Sequence, residues 1–277
     1  MMAAGRKEEE EGGVSKMEIT PIDFDKKHNR VSFSLKGADP TYANALRRII
    51  MEEVPTMAIE DVDFSKNSSA LYDEIIAHRL GLIPLKTDLK SYNLPEECKC
   101  KGEGCARCSV KLTLSAKGPC TVLSSEIKSK DSAIKPVFPG IPIVKLIKNQ
   151  ELEFEATAFL GKGVNHSKWM PGLAYYKYKP SIEIKGNVSD PEKVKASCPV
   201  LIYDVHNGKL TVNKDKINDC HLCGACVDVE PNITINESNT DFIFYLESWG
   251  QLSHKEILAK AVEILDSKLD NFAEQVK

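Results

Sequence analysis

The chain has 277 residues, 42% of them hydrophobic and 28% charged, which suits two or three folded units with a sizeable core. Its net charge of −3 argues against a surface built to grip a nucleic-acid backbone, so any nucleic acid is expected to be handled by a partner. Nine cysteines, with no recognisable secretory signal or apolar run of membrane-spanning length, point to a reducing, cytoplasmic setting where thiols bind metal rather than pair as disulfides. Eight of the nine fall in metal-like spacings, and Cys120 is left over.

Residues 1–16, with Glu8 to Glu11 flanked by glycines, have almost nothing to bury and are expected to form a disordered tail. Alternation predicts strands at Glu18 to Ile22 and Arg30 to Leu35, joined by the polar turn Asp25 to Asn29. Asp39-Pro40 opens a helix over Pro40 to Glu53, with Asp39 as N-cap and Pro40 where its missing donor is harmless. Tyr42, Ala45, Leu46, Ile49 and Ile50 form its apolar face, Asn44, Arg47 and Arg48 ride beside it, and Pro55 ends it. By spacing alone the arginine pair is a solvated helix side.

From Asp61 to residue 151 the composition shifts to short strands and punctuated loops, as for a second domain inserted into the first. Asp61 and Asp63 share a strand face, where they either hold a cation or, more plainly, face water; no nucleophile or histidine cluster nearby supports acid-base chemistry. Cys98, Cys100, Cys105 and Cys108, with Gly102 and Gly104 in the turn, suit a closed tetrahedral Zn2+ site that staples a loop too polar to build its own core. The irregular C-x-C-x4-C half keeps a second iron-sulfur cluster open as the rival reading. Leu152 to Leu160 alternates as a strand and Tyr176 to Lys179 as part of another, both expected to return to the first domain. His166, Lys168, Trp169 and the tyrosines offer a basic-aromatic surface, but the acidic chain favours a packed or subunit-facing loop.

Three thiols then recur at C-x2-C-x2-C spacing, Cys220, Cys223 and Cys226, around Gly224, as in a ferredoxin loop. In the bacterial pattern C-x2-C-x2-C-x3-C-P the fourth cysteine serves the other cluster, and here that slot is Glu230-Pro231. Cys198-Pro199 is the reciprocal remnant, because an earlier copy ending there would need cysteines at Val188, Pro191 and Val194, and has none. The two half-motifs together make one four-thiolate site, Cys198, Cys220, Cys223 and Cys226, for one 4Fe-4S cluster, with a 3Fe-4S form, zinc, or buried metal-free thiols as alternatives. Asn207-Gly208 predicts a hairpin between Val200 to Val205 and Lys209 to Val212, folding Cys198 and Cys220 back to one place. His206 beside the turn and His221 inside the loop read as surface residues.

Asp241 to Ser248 reads as a final strand, and Ser253 with Glu256 as a capping box for the last helix. Leu258, Val262, Leu265, Leu269, Phe272 and Val276 recur at steps of four and three, and Ile257, Ala261 and Ile264 widen that stripe. A helix of about 24 residues spans about 36 Å, and either lies wholly on its own core or serves as an interface.

Asn44-Ala45-Leu46-Arg47-Arg48, Val54-Pro55-Thr56, Ala58-Ile59, the run from Asp73 to Leu85 and the segment from Gly163 to Pro171 together resemble the alpha-like assembly subunits of DNA-directed RNA polymerase, those of the archaeal type in particular. The resemblance covers nearly everything from Met17 onwards. It implies an α+β fold: a discontinuous dimerisation domain (17–60, 152–187 and 237–277), an inserted mainly β domain (61–151) carrying the zinc-type loop, and an inserted ferredoxin-like iron-sulfur domain (188–236). It also implies a non-catalytic role, heterodimerising with the smaller alpha-like subunit L through Asn44, Leu46, Arg47, Arg48, Ile49, Ile50, Leu258, Val262, Leu265, Leu269, Phe272 and Val276. That pair would offer a platform, including Arg47 and Arg48, to subunits N and P and the large catalytic subunits. No carboxylate motif for nucleotidyl transfer is visible, so no catalytic residue is assigned. Two rival readings rest on the cysteines: a ferredoxin-type electron-transfer protein or oxidoreductase subunit, and a zinc-dependent nucleic-acid-binding module. A single cluster lacks the second centre that an electron chain often supplies, which favours a structural clamp.

Overall fold

The computed structural model describes residues 16–276, so the expected acidic tail lies, but for Lys16, outside the described residues. Strands β1 (Glu18–Asp25) and β2 (Arg30–Lys36) meet at a turn in which Asp25 accepts the Lys27 N–H at 3.0 Å and Asn29 takes a left-handed φ of 47°. Helix α1 (Pro40–Glu52) begins at the expected proline and buries Ala43, Leu46, Ile49 and Ile50. Its inward face therefore runs through Ala43 rather than Ala45. Strand β3 (Thr56–Asn67) leads to α2 (Asp73–Gly81), whose Asp73 and Glu74 at the start and His78 and Arg79 at the end complement the helix dipole.

Next come β4 (Ser109–Lys117), β5 (Cys120–Leu123), β6 (Lys128–Ser129), β7 (Pro142–Leu146), β8 (Glu151–Gly161) and β9 (Gly172–Ile184). The chain continues through α3 (Pro191–Ser197), β10 (Tyr203–His206), β11 (Lys209–Val212), α4 (Ala225–Val229), β12 (Ile233–Ser248) and α5 (His254–Gln275). One four-stranded sheet has the order β1-β2-β12-β9 and another β3-β8-β4-β6, with two-stranded ribbons β5-β7 and β10-β11. Among the described residues no helix is long and apolar enough to cross a membrane.

Two compact units divide the chain: one comprises residues up to Pro21, Phe33–Pro40 and Lys177–Ile243, the other Ile22–Ser32, Thr41–Tyr176 and the residues from Phe244. In the larger unit β8 alternates buried and half-exposed residues along its length, so Leu152, Phe154, Ala156, Ala158 and Leu160 fill the same core as Met57, Ile59, Ile76, Leu80, Leu112 and Leu114. The strand at Leu152 to Leu160, expected to return to the first domain, pairs antiparallel with β3 and β4, because its apolar face completes this core. On the other face charges interleave: Lys111 meets Glu155 at 3.0 Å and Lys117 meets Glu151 at 2.8 Å. Asp61 and Asp63, opposite Thr157 and Glu155, are exposed on this face, as the plainer reading expected.

The Gly163 to Pro171 segment closes onto α1 and β3 in the same unit. A Cβ on Gly161 would sit 2.4 Å from the Trp169 ring, and one on Gly163 2.1 Å from the Met51 carbonyl, so both positions exclude a side chain. Val164 N donates to the Glu52 carbonyl at 2.9 Å, the Thr56 hydroxyl to the Trp169 carbonyl at 2.7 Å, and Lys168 reaches Glu60 and the Ile59 carbonyl while lying 4.4 Å over the Trp169 ring. Trp169 is buried, so the basic-aromatic segment is a packed loop.

In the smaller unit the Asn207-Gly208 turn, both residues at positive φ, joins β10 to β11 with Tyr203 opposite Val212. The strand begins at Tyr203 rather than Val200, since Leu201 takes a φ of 51° that breaks an extended run. Val194, Ile202, Tyr203, Leu210 and Ile233 form its core together with Cys198, Cys220 and Cys226.

Candidate metal centres and interface helices

Cys98 follows a short 3-10 turn, Pro95–Glu97, and the loop after it folds back through local bonds. Lys101 N donates to the Cys98 carbonyl at 2.8 Å, Glu103 N to the Cys100 carbonyl at 3.1 Å, and Cys108 N to the Cys105 carbonyl at 3.0 Å. These turns aim four sulfurs at one point. The Cys98–Cys105, Cys98–Cys100 and Cys100–Cys108 Sγ distances are each 3.5 Å, Cys105–Cys108 is 3.9 Å, and all four atoms lie within 4.8 Å of one another. Sulfurs held about 2.3 Å from one tetrahedral ion stand about 3.8 Å apart, so the donor set fits a single metal ion. The Cys105 N–H pulls the Cys100 thiol down to about 6, while burial pushes Cys108 up to about 12. A bound cation would favour the thiolate form of all four.

The second cysteine group is assembled over a longer stretch. Cys198 caps the C-terminus of α3, beyond which Leu201 N bonds its carbonyl at 3.2 Å. Cys220 follows the 3-10 turn Ile217–Asp219, and the loop then passes through Leu222 at φ 56° and Gly224 at φ 77° into α4. The left-handed glycine turns the chain so that Cys226 points inward at the first turn of α4. Cys198, Cys220 and Cys226 are buried in one core and Cys223 is exposed at its edge. Among the described residues, the grouping drawn tightly enough for a single ion is the Cys98 to Cys108 set. The surroundings of the second group are polar towards sulfur: Leu222 N donates to Cys220 Sγ at 3.5 Å, and the wholly buried Tyr203 hydroxyl donates to Cys226 Sγ at 3.1 Å. Lys177 donates to the Cys220 carbonyl at 3.2 Å, although its burial lowers the ammonium's pKa.

Structural groups occupy the empty half-motif positions. Glu230, in the vacant fourth-cysteine slot, is buried and accepts the Ser189 N–H at 2.8 Å and the Asn232 N–H at 3.3 Å, the first of which chiefly holds its carboxyl below the usual range. Val194, in the third slot of the earlier copy, is wholly buried. His206 and His221 are exposed, as expected, and Cys120 stands at the start of β5 with its thiol 3.5 Å from the Lys117 carbonyl. Tyr203 and Lys177 escaped the sequence reading. Alternation marks Tyr203 as inward-facing, but nothing in the sequence pairs it with a thiol 23 positions away.

The candidate interface residues divide. Leu46, Ile49 and Ile50 pack into this chain's own core, so α1 turns a polar side outward, with Asn44 and Arg48 exposed. Arg47 donates from Nε and Nη2 to Asn44 Oδ1 at 3.1 and 3.0 Å, and Arg48 pairs with Glu52 at 3.1 Å. Those three apolar residues lie on the helix face that its own hydrophobic spacing buries. Helix α5 starts at the expected capping box, Ser253 Oγ accepting the Glu256 N–H at 3.3 Å and Glu256 accepting the Ser253 N–H at 2.8 Å. Its broad stripe splits in two. Ile257 and Ala261 are buried and Ile264 is half-buried, whereas Leu258 and Leu265 are half-buried and Val262, Leu269, Phe272 and Val276 are 40%, 58%, 66% and 69% exposed. Lys268 meets Glu53 at 2.6 Å and Tyr42 lies near Asp266, anchoring the helix beside α1.

Residues 57–172 match the family model described as the RNA polymerase Rpb3/RpoA insert domain. The chain is 40% identical over 256 residues to the DNA-directed RNA polymerase subunit Rpo3 of Methanosphaera stadtmanae, covering 89% of this chain and 94% of that protein. It is likewise 40% identical over 256 residues to Rpo3 of Methanothermobacter thermautotrophicus, covering 91% and 95%, and 38% identical over 256 residues to Rpo3 of Pyrococcus furiosus, covering 92% and 95%. Matching at this level over almost the full length of each relative, the chain belongs to the Rpo3 family of DNA-directed RNA polymerase subunits.

Proposed function

We propose that this chain is the non-catalytic assembly subunit of a DNA-directed RNA polymerase, and that it works by heterodimerising with a smaller alpha-like partner, subunit L. The observation that carries the pairing is the open half of α5: Val262, Leu269, Phe272 and Val276 form an apolar seam that the chain's own core does not cover. A row of exposed large apolar side chains at heptad-like spacing is costly in water and suits helix-on-helix burial. The resulting pair would present Asn44, Arg47 and Arg48 on the polar side of α1 to subunits N and P and the large catalytic subunits, in the cytoplasm. Co-expression with the small alpha-like subunit should give a one-to-one complex. Replacing Leu269 and Phe272 together by Asp should weaken it at least 100-fold while leaving the melting of the free chain within a few degrees, because central apolar anchors dominate such contacts. A chain that stays monomeric with every such partner overturns the proposal.

On the same reading the inserted domain spans 61–151 and carries one Zn2+ on Cys98, Cys100, Cys105 and Cys108, while the ferredoxin-like domain spans 188–236. The dimerisation domain takes 17–60, 152–187 and 237–277. The short sulfur–sulfur distances support a single zinc ion over a second cluster in the first loop. The largely buried set Cys198, Cys220, Cys223 and Cys226, with its ferredoxin-type spacing, supports one 4Fe-4S cluster, or its 3Fe-4S form, in the role of a structural clamp. Anaerobic purification followed by metal and sulfide analysis should return about four irons and one zinc per chain. Two zincs and no iron would sink the cluster.

A further inference from the structure

We propose that the Tyr203 hydroxyl is a built-in tuning group for the cluster on Cys198, Cys220, Cys223 and Cys226, setting its reduction equilibrium through a hydrogen bond to the Cys226 sulfur. The inference rests on the iron-sulfur reading of these four thiols and assigns a role to a residue outside them.

Three observations carry it. Tyr203 is wholly buried, and a phenol hydroxyl taken out of water must find a partner. The partner that the fold provides is a sulfur, at 3.1 Å. The hydroxyl is also held in place by construction rather than by chance rotation. Tyr203 is in β10, where it pairs with Val212 in a register pinned by the Asn207-Gly208 turn. It belongs to the same buried cluster as Val194, Ile202, Leu210 and Ile233. Cys226 is equally constrained, buried in the first turn of α4.

A donor aimed at a ligand sulfur draws electron density from the thiolate and stabilises the more negative, reduced state of the metal group. Hydrogen bonds to ligand sulfurs are among the protein's main levers on reduction potential, and their partners orient the ligand as well. Leu222 N–H acts on Cys220 in the same sense, but it belongs to the backbone and no side chain controls it. Tyr203 is the element of this shell that a single substitution can switch.

The experiment uses the full chain, purified anaerobically, as wild type and as Tyr203→Phe, which removes the hydroxyl and keeps the ring. Both proteins should contain the same iron and sulfide and melt alike, while the one-electron reduction equilibrium of Tyr203→Phe should shift about tenfold towards the oxidised form, a midpoint about 59 mV more negative. The paramagnetic resonance spectrum of the reduced cluster should move with it. An iron-loaded Tyr203→Phe with an unchanged midpoint overturns the tuning role and leaves the cluster assignment standing. Wild type without iron overturns both. If Tyr203→Phe fails to accumulate, 3-fluorotyrosine placed at position 203 supplies a more acidic donor in the same ring, and its midpoint should move positive; no movement overturns the proposal.

Discussion

The two units hold their thiols in different settings. In the larger unit Cys98, Cys100, Cys105 and Cys108 come from one loop, and none of the four belongs to that unit's cluster of twenty-three buried residues. In the smaller unit one cluster of eight buried residues includes the cysteines Cys198, Cys220 and Cys226. On the proposed assignment, metal in the first case would staple a loop; in the second it would stand inside a hydrophobic cluster. Where thiols take three of a cluster's eight buried positions, a structural metal group is a common supplement to apolar burial.

The largest expected effect breaks the comparison directly. Replacing Cys220 and Cys226 together by Ala should abolish iron binding and leave residues 177–243 open to proteolysis and amide exchange, while the segment around β3, β8 and β4 stays protected. Protection of 177–243 without iron would show that the small core stands alone. Next in size, Phe154→Ala in the larger unit should cost about 3–5 kcal/mol by leaving a cavity at a wholly packed position, read as a lowered unfolding midpoint in denaturant. Iron content should not change.

Cys105→Ser should release the zinc and speed amide exchange within residues 95–109, yet lower the melting temperature of that unit by only about 2–4 °C, since roughly 1 kcal/mol is at stake. A global collapse would show that the loop supports more than itself. The smallest effect concerns acid. The Glu230 carboxyl is held below its ordinary 4.5 chiefly by the Ser189 N–H, so its contribution is fully present above about pH 4.5 and is lost as pH falls through its lower folded value. Glu230→Gln should flatten that part of the acid unfolding curve of the smaller unit. An unaltered acid limb would mean that the carboxylate does not hold the vacant slot together.

What could be read in advance is what depends on neighbours in sequence. The Asn207-Gly208 turn, the Ser253 and Glu256 cap, the proline start of α1 and the thiol spacings all act within a few residues, where backbone geometry leaves little choice. Helix α2 is not legible as a helix, although its charges follow the dipole, because its apolar residues Ile76 and Leu80 are too few for a clear period. The strand at Leu152 to Leu160 is legible, but its sheet is not: alternation says that one face is buried without saying against what.

By itself, the sequence determined the proline start of α1, the capped start of α5 and the grouping of Cys98, Cys100, Cys105 and Cys108, since these are matters of spacing along the chain. The three-dimensional packing alone decided which apolar residues remain for a partner. Leu46, Ile49 and Ile50 on α1 and Leu269 and Phe272 on α5 are equally hydrophobic in sequence; the first three are covered by their own core and the last two are not. The same holds for the Tyr203 hydroxyl, whose place at the Cys226 sulfur depends on a hairpin register and a helix start that meet only when the chain has folded. Periodicity records that a face is apolar; only the distance between elements records what it touches.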